Sequence, residues 1–247
     1  MISLNDVSMV YPNGFIGLHP LSIEFHPGQF TVLIGTSGAG KSTLLRCLNF
    51  LNRPSTGTVK VEGLGCLGSG TSLRRHRRRT AMVFQQHQLI GRHSALKNAL
   101  VGRLGYHHPL RGLAPLPRAD QRLALECLER VGLLDKAFER VDKLSGGQQQ
   151  RVGIARALVQ KPRIILADEP VASLDPATSD NILSLLHRIC VEDGILAIVS
   201  LHQVELARRY ADRVLALAGG RLVFDGPPRN LCSETLEDIY NCTTLAA

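Results

Sequence analysis

Residues 35–42 read Gly35-Thr36-Ser37-Gly38-Ala39-Gly40-Lys41-Ser42, the spacing GxxxxGK[ST]. Glycines so placed let backbone N–H groups curl around phosphate oxygens, and a helix N-terminus just beyond adds positive potential. Lys41 would reach the terminal phosphates, Ser42 would ligate magnesium through its hydroxyl, and Thr43 continues the same turn. A nucleoside triphosphate is the implied ligand; a glycine-rich structural turn is the plain alternative. Further on, Ile164-Ile165-Leu166-Ala167-Asp168-Glu169-Pro170 sets adjacent carboxylates after an apolar run. That places both acids at the C-terminal edge of a buried strand, where α/β folds bind their ligands. There Asp168 would hold magnesium and Glu169 would polarise the water that attacks the γ-phosphorus. Read alone, the pair could equally be an acidic helix cap. A third segment, Leu144-Ser145-Gly146-Gly147-Gln148-Gln149-Gln150-Arg151, opens a helix with two glycines, a second anion-binding terminus in one chain.

The elements that must carry these groups follow from hydropathy. The compact apolar run 30–34 suits a strand buried on both faces and leads straight into the glycines. Leu44, Leu45, Leu48 and Leu51 recur on one helical face, and Pro54 and Gly57 end that pattern. Residues 4–10 and 20–25 have strand character, with Tyr11-Pro12-Asn13-Gly14 as a turn between them. Residues 58–62 alternate with period two, as a half-exposed antiparallel strand does. A glycine-rich loop is expected over 64–72, then the basic run Arg74 to Arg79, then a buried strand over 81–84. From 91 to 158 strand signals vanish; helical patterning such as Leu123, Leu125, Leu128 and Val131 follows a Pro-rich connection at 109–117. Val152, Ala155, Leu158 and Val159 form the stripe of the helix after the double glycine, ended by Pro162. Strands return at 163–167, 195–200 and 214–217, so a helical insertion sits inside an α/β core.

Composition bounds the remaining possibilities. The chain has 247 residues, 44% hydrophobic and 20% charged, enough for a sizeable core and unlike a disordered or collagen-like sequence. No apolar stretch approaches the roughly 18 to 20 residues of a membrane span, and the first residues lack the basic and apolar segments of a secretory signal. The six cysteines are scattered with no CxxC pair and are expected as reduced thiols. A net charge of +8 favours polyanionic partners, whether nucleic acid, a membrane face or nucleotide phosphates.

Phosphate loop, Leu144-Ser145-Gly146-Gly147-Gln148 and Ala167-Asp168-Glu169-Pro170, in this order, resemble the ATP-binding subunit of an ABC transporter over about residues 2–228. The resemblance implies an α/β P-loop NTPase core with a mixed, mainly parallel sheet, an antiparallel β subdomain and a helical subdomain at about 91–160. A short tail, 229–247, follows, with a helix expected near 236–240. It implies ATP and Mg2+ as cofactors, and a homodimer in which Ser145, Gly146, Gly147 and Gln148 of one subunit meet the γ-phosphate held by the other. By the same resemblance Gln85 contacts magnesium and relays to the membrane partner, and His202 senses the γ-phosphate. Asp175, in Ser173-Leu174-Asp175, belongs to the loop crossing the dimer interface. Tyr11 stands where an aromatic ring stacks on adenine; a strand-end tyrosine capping the core is its alternative. The arginine run reads as a solvated or membrane-facing surface, not a nucleic-acid site.

Finer matches narrow the resemblance. Phe84-Gln85-Gln86, Leu89-Ile90-Gly91-Arg92 and Leu201-His202-Gln203-Val204 resemble the phosphonate importer ATPases. His87 and Gly153 depart from them, where Phe and Ala are usual. The expected partners are integral membrane permease subunits and, through them, an extracytoplasmic solute-binding protein, with this chain peripheral on the cytoplasmic face of the inner membrane. Phosphite importers share much of the pattern. A soluble ABC ATPase acting on nucleic acid or ribosomes, and an exporter or amino-acid importer ATPase, are the rival readings.

Overall fold

The computed structural model describes residues 1–68, 70–85, 88–107, 116–232, 236–237 and 239. Gln86, His87, most of the Pro-rich connection, Tyr240 and Cys242 lie outside the described residues. Two sheets organise them. One is antiparallel, in the order β2-β1-β4-β5, from β1 (Ile2–Val10), β2 (Ile16–Phe25), β4 (Thr56–Val61) and β5 (Gly65–Cys66). The other runs β10-β9-β3-β8-β7-β6, from β3 (Phe30–Ile34), β6 (Thr80–Phe84), β7 (Ile164–Asp168), β8 (Leu196–Ser200), β9 (Arg213–Ala218) and β10 (Arg221–Gly226). In this second sheet only the β9/β10 pair is antiparallel.

The central strands are almost wholly apolar because each lies between two cores. Phe30, Val32, Ile165, Ala167, Ala197 and Val199 face one cluster; Leu33, Ile164, Leu166, Leu196 and Ile198 face the other. A strand buried on both faces has no position for an alternating polar residue. The first cluster also takes the buried sides of α4 (Arg118–Arg130), α5 (Gly146–Val159) and α6 (Pro176–Asp193). The second holds α1 (Lys41–Leu48) between the parallel sheet and the antiparallel one. The helical stretch expected after residue 91 contains α3 (Ala95–Leu100), α4 and α5, and the stripe Val152, Ala155, Leu158 and Val159 is buried.

Several elements differ from their sequence reading for local reasons. β2 begins at Ile16 and not at residue 20. Pro20 is tolerated inside it because β2 is an edge strand, where a missing N–H breaks no essential bond. The α1 stripe stops at Leu48, leaving Leu51 49% exposed, since Phe50 turns left-handed (φ 55) and the Leu51 and Asn52 amides both bond back to the Arg46 carbonyl. The stretch 64–72 is not all loop: it contains β5 and the start of α2 (Gly70–Arg79). β10 has no counterpart in the sequence reading. Leu231 and Ile239 of the tail pack into the larger core.

The basic run lies on α2 and is only partly solvated. Arg74, Arg75 and Arg79 are exposed, whereas His76 is buried, its Nε2 donating to the Leu48 carbonyl at 2.8 Å and its Nδ1 3.3 Å from the Thr80 hydroxyl. Burial pushes the His76 imidazole below its ordinary value. The folded state therefore binds that proton less readily than the unfolded chain. The stability so contributed is fully present above the unfolded value of about 6.5 and is lost as pH falls towards the depressed folded one. Thermal melts between pH 7.5 and 5.5 should show a falling midpoint, with a shallower slope in His76→Gln; an unchanged slope contradicts this account. Burial likewise pushes the Cys47 and Cys190 thiols up to about 12 and Cys127 to about 11, which keeps them protonated.

Candidate active site

Residues 35–40 join the C-terminal end of β3 to α1, and Gly35, Gly38 and Gly40 have φ values of 142, 79 and 104. A Cβ on Gly35 would lie 2.2 Å from the Leu217 carbonyl oxygen, and one on Gly40 2.7 Å from that of Gly17. Bare backbone is therefore compulsory at both positions. Gly40 caps α1 with no side-chain bond, so the first-turn amides of Lys41, Ser42 and Thr43 face outward with no intrahelical acceptor. This cradle suits an anion. Lys41 is 4% exposed, with its Nζ donating to the Gly35 and Thr36 carbonyls at 2.8 and 3.0 Å. Burial lowers the pKa of its ammonium, and the charges of Glu169 and Asp168 oppose that shift. Ser37 and Gly38 form the exposed lip, with Ala39 packed beneath.

Asp168 ends β7 and is nearly buried; the Ser42 hydroxyl donates to its Oδ1 at 2.8 Å. A hydroxyl and a carboxylate oxygen are hard donors, which fit magnesium. No group of three or more His, Cys, Asp or Glu that could hold a metal occurs among the described residues. An ion held by so few protein oxygens completes its shell from water and nucleotide phosphates, the mode magnesium favours. Glu169 follows in the left-handed region (φ 47), a conformation costing a non-glycine residue about 1–3 kcal/mol. His202 Nε2 lies 2.5 Å from Glu169 Oε1. Glu169, Ser200, His202 and Gln203 border a cavity of about 30 Å³. That space admits a water beside the carboxylate.

The ABC transporter family matches residues 18–172, a span that takes in the cradle, Gln85, the double-glycine helix and both acids. This chain belongs to the ABC transporter family. It is an ATP-binding subunit, similar to "Phosphonates import ATP-binding protein PhnC 1" of Trichodesmium erythraeum, with 61% identity over 97% of this chain and 95% of that protein. It is also 65% identical to "Phosphite import ATP-binding protein PxtA" of Stutzerimonas stutzeri, over 97% of this chain and 87% of that one. Among solved structures it resembles the ATP-binding cassette MJ0796, a dimer in a post-hydrolysis state with ADP and Pi. That match has a TM-score of 0.81 and 33% identity, covering 94% of this chain and all of that one.

Around the ABC site the remaining residues fall into two groups. Tyr11 lies against α1: its hydroxyl is 3.1 Å from Thr43 Oγ1 and accepts from Asn52 Nδ2 at 3.1 Å. Phe15, 55% exposed, stands beside it with ring centroids 6.1 Å apart, so the cradle's flank carries two aromatic rings where the sequence reading placed one. Gln85 is exposed just past β6 and, among the described residues, makes no hydrogen bond to Ser42 or Asp168. It instead borders an open cavity of about 590 Å³ with Leu89, Gln149 and Ser173.

That second surface also carries the double-glycine helix. Ser145 caps α5 in a reciprocal box, accepting from Gln148 N at 3.3 Å while its own amide donates to Gln148 Oε1 at 3.0 Å. Gly146 and Gly147 pack tightly: a Cβ on Gly147 would lie 2.7 Å from Thr178 Cγ2, and one on Gly146 3.3 Å from Leu174 Cδ2. Asp175 caps α6, accepting from the Thr178 amide at 3.0 Å, and hydrogen bonds from the Thr178 side chain and then its amide hold its carboxyl below the usual carboxylate range. At Gly153 a Cβ would meet nothing within 4 Å, so space does not demand the glycine found there. The fold thus gathers Lys41, Ser42, Asp168, Glu169 and His202 in one place and sets Gln85 beside the double-glycine helix α5, the signature helix, in another. Ser200, which the sequence reading left as a strand residue, stands in the first group.

Proposed function

We propose that this chain hydrolyses ATP to drive phosphonate import, as a homodimer on the cytoplasmic face of the membrane beneath two permease subunits fed by an extracytoplasmic binding protein. The observation that carries the ATPase reading is the clustering of Lys41, Ser42, Asp168, Glu169 and His202 at one mouth of the parallel sheet. The solute follows from the likeness to the phosphonate relatives. Residues 1–228 act as one ATPase domain with the helical subdomain at about 91–160, and nucleic acid is not a partner. Among the described residues no helix is long and apolar enough to cross a membrane.

In this reading the amides of residues 38–43 bind the phosphates, Lys41 neutralises their charge, and Tyr11 stacks on the base. Ser42 and Asp168 would hold magnesium, which when bound offsets charge on the β- and γ-phosphates, and Gln85 would have to swing in from the neighbouring surface to join them. Glu169 takes a proton from the attacking water, and His202 holds the carboxylate in place. Ser145, Gly146, Gly147 and Gln148 close on the partner's ATP, with Asp175 at the interface. A two-fold dimer pairs each cradle with the other subunit's signature helix, which gives both anion-binding termini of one chain a use.

The phosphite relative at 65% identity favours a second solute, phosphite, for the same machine. Uptake of labelled methylphosphonate, phosphite and phosphate, in a strain lacking this chain and in its complemented counterpart, separates the two. Methylphosphonate uptake restored by the chain is expected; restoration of phosphite uptake alone selects the second reading, and of neither rejects both.

A further inference from the structure

We propose that Ser200 is a positioning residue for ATP hydrolysis, fixing Asp168 and Glu169 from the neighbouring strand; this rests on the ATPase reading above. Ser200 ends β8 and is fully buried. In the parallel pairing Ala167 lies opposite Val199, which brings the next pair, Asp168 and Ser200, side by side. The hydroxyl has one proton and two lone pairs. It accepts from the Glu169 amide at 2.8 Å and donates towards Asp168 Oδ1 at 3.1 Å, with the Ala167 carbonyl farther off at 3.5 Å. The charged acceptor takes the proton.

Both ends of Glu169 are consequently held from one segment: Ser200 grips its amide and His202 its carboxylate. A glutamate at φ 47 persists only where its surroundings over-determine it. Asp168 Oδ1 receives two hydroxyl donors, from Ser42 and Ser200, while Oδ2 accepts no hydrogen bond among the described residues. The carboxylate is pinned by one oxygen, which leaves the other without a hydrogen bond to any described residue. A small polar residue at the end of an apolar strand is the only mark this arrangement leaves in the sequence.

Hydrogen bonds behind a metal-holding or catalytic group typically change affinity or activity 10- to 100-fold when removed. Ser200→Ala is expected to lower kcat about 10- to 100-fold. Its ATP affinity measured in EDTA should stay within about twofold, while the tightening of ATP binding by added Mg2+ shrinks at least about threefold. Placed on Glu169→Gln, the same change should cost less in residual turnover than it costs the wild type, because one of the two groups Ser200 positions has already lost its function while Asp168 has not. Should the alanine variant unfold, Ser200→Cys, close in shape with a weaker hydrogen-bonding group, carries the same measurements. Wild-type kcat in the variant overturns the proposal. So does a loss that multiplies fully on Glu169→Gln and tracks a lower melting temperature and weaker metal-free ATP binding, the pattern of a structural role alone. A wild-type chain that binds ATP without hydrolysing it would instead sink the ATPase reading, and the Mg2+-dependent binding comparison still tests Ser200.

Discussion

Glu169→Gln is expected to bind ATP as tightly as the wild type while its phosphate release falls by about 10²- to 10⁴-fold, the range a general base contributes. The side chains match in shape, so the contact with His202 and the backbone at φ 47 should survive. What disappears is the negative charge that draws a proton from water. With ATP bound and not consumed, the closed dimer should accumulate and elute as a dimer in gel filtration with ATP, reverting to monomer without it. Phosphate-release assays and nucleotide titration check the two halves separately. Undiminished turnover would reject Glu169 as the base, and weakened ATP binding at normal turnover would place it in the cradle instead.

Lys41→Ala acts at the earlier step. Lys41 is almost wholly buried and its Nζ is tied to two carbonyls of the loop it serves, so its charge is delivered at a fixed point. A hydrogen bond to a charged group contributes about 1.5–3 kcal/mol, which sets the loss of ATP affinity at roughly 10- to 150-fold. Equilibrium titration with a labelled ATP analogue measures it, and unchanged affinity contradicts the role. Removing the ammonium also strips the Gly35 and Thr36 carbonyls of that donor. A modest drop in melting temperature should accompany the change, and ADP-independent melts separate that cost from the binding loss.

Much of this was legible because it is local. The phosphate loop needs left-handed backbone at fixed intervals, and glycine spacing records that requirement directly. The runs 30–34 and 164–167 read as doubly buried strands because burial on both faces removes polar alternation from the sequence itself. A pair of glycines behind a serine, with Gln148 at the third helical position, marks a capped helix start in the same way.

What escaped the sequence depends on partners distant along the chain. The early end of α1 is the local exception: the Arg46 carbonyl is shared between the Leu51 and Asn52 amides, a backbone choice that side-chain periodicity does not record. His76 looks like one more member of a solvated basic run until Leu48 and Thr80 are placed around it. Gln85 is recognisable by motif, yet only packing sets it beside the signature helix.

The sequence by itself determined the fold class, the anion cradle and the identity of the two acids, since these follow from backbone conformation and burial within short windows. Tertiary structure alone decided that Ser42 and Ser200 share one oxygen of Asp168 and that His202 meets Glu169. Those contacts join segments separated by more than thirty positions, and the parallel register of the sheet, which no local window encodes, brings the ends of β7 and β8 into hydrogen-bonding range.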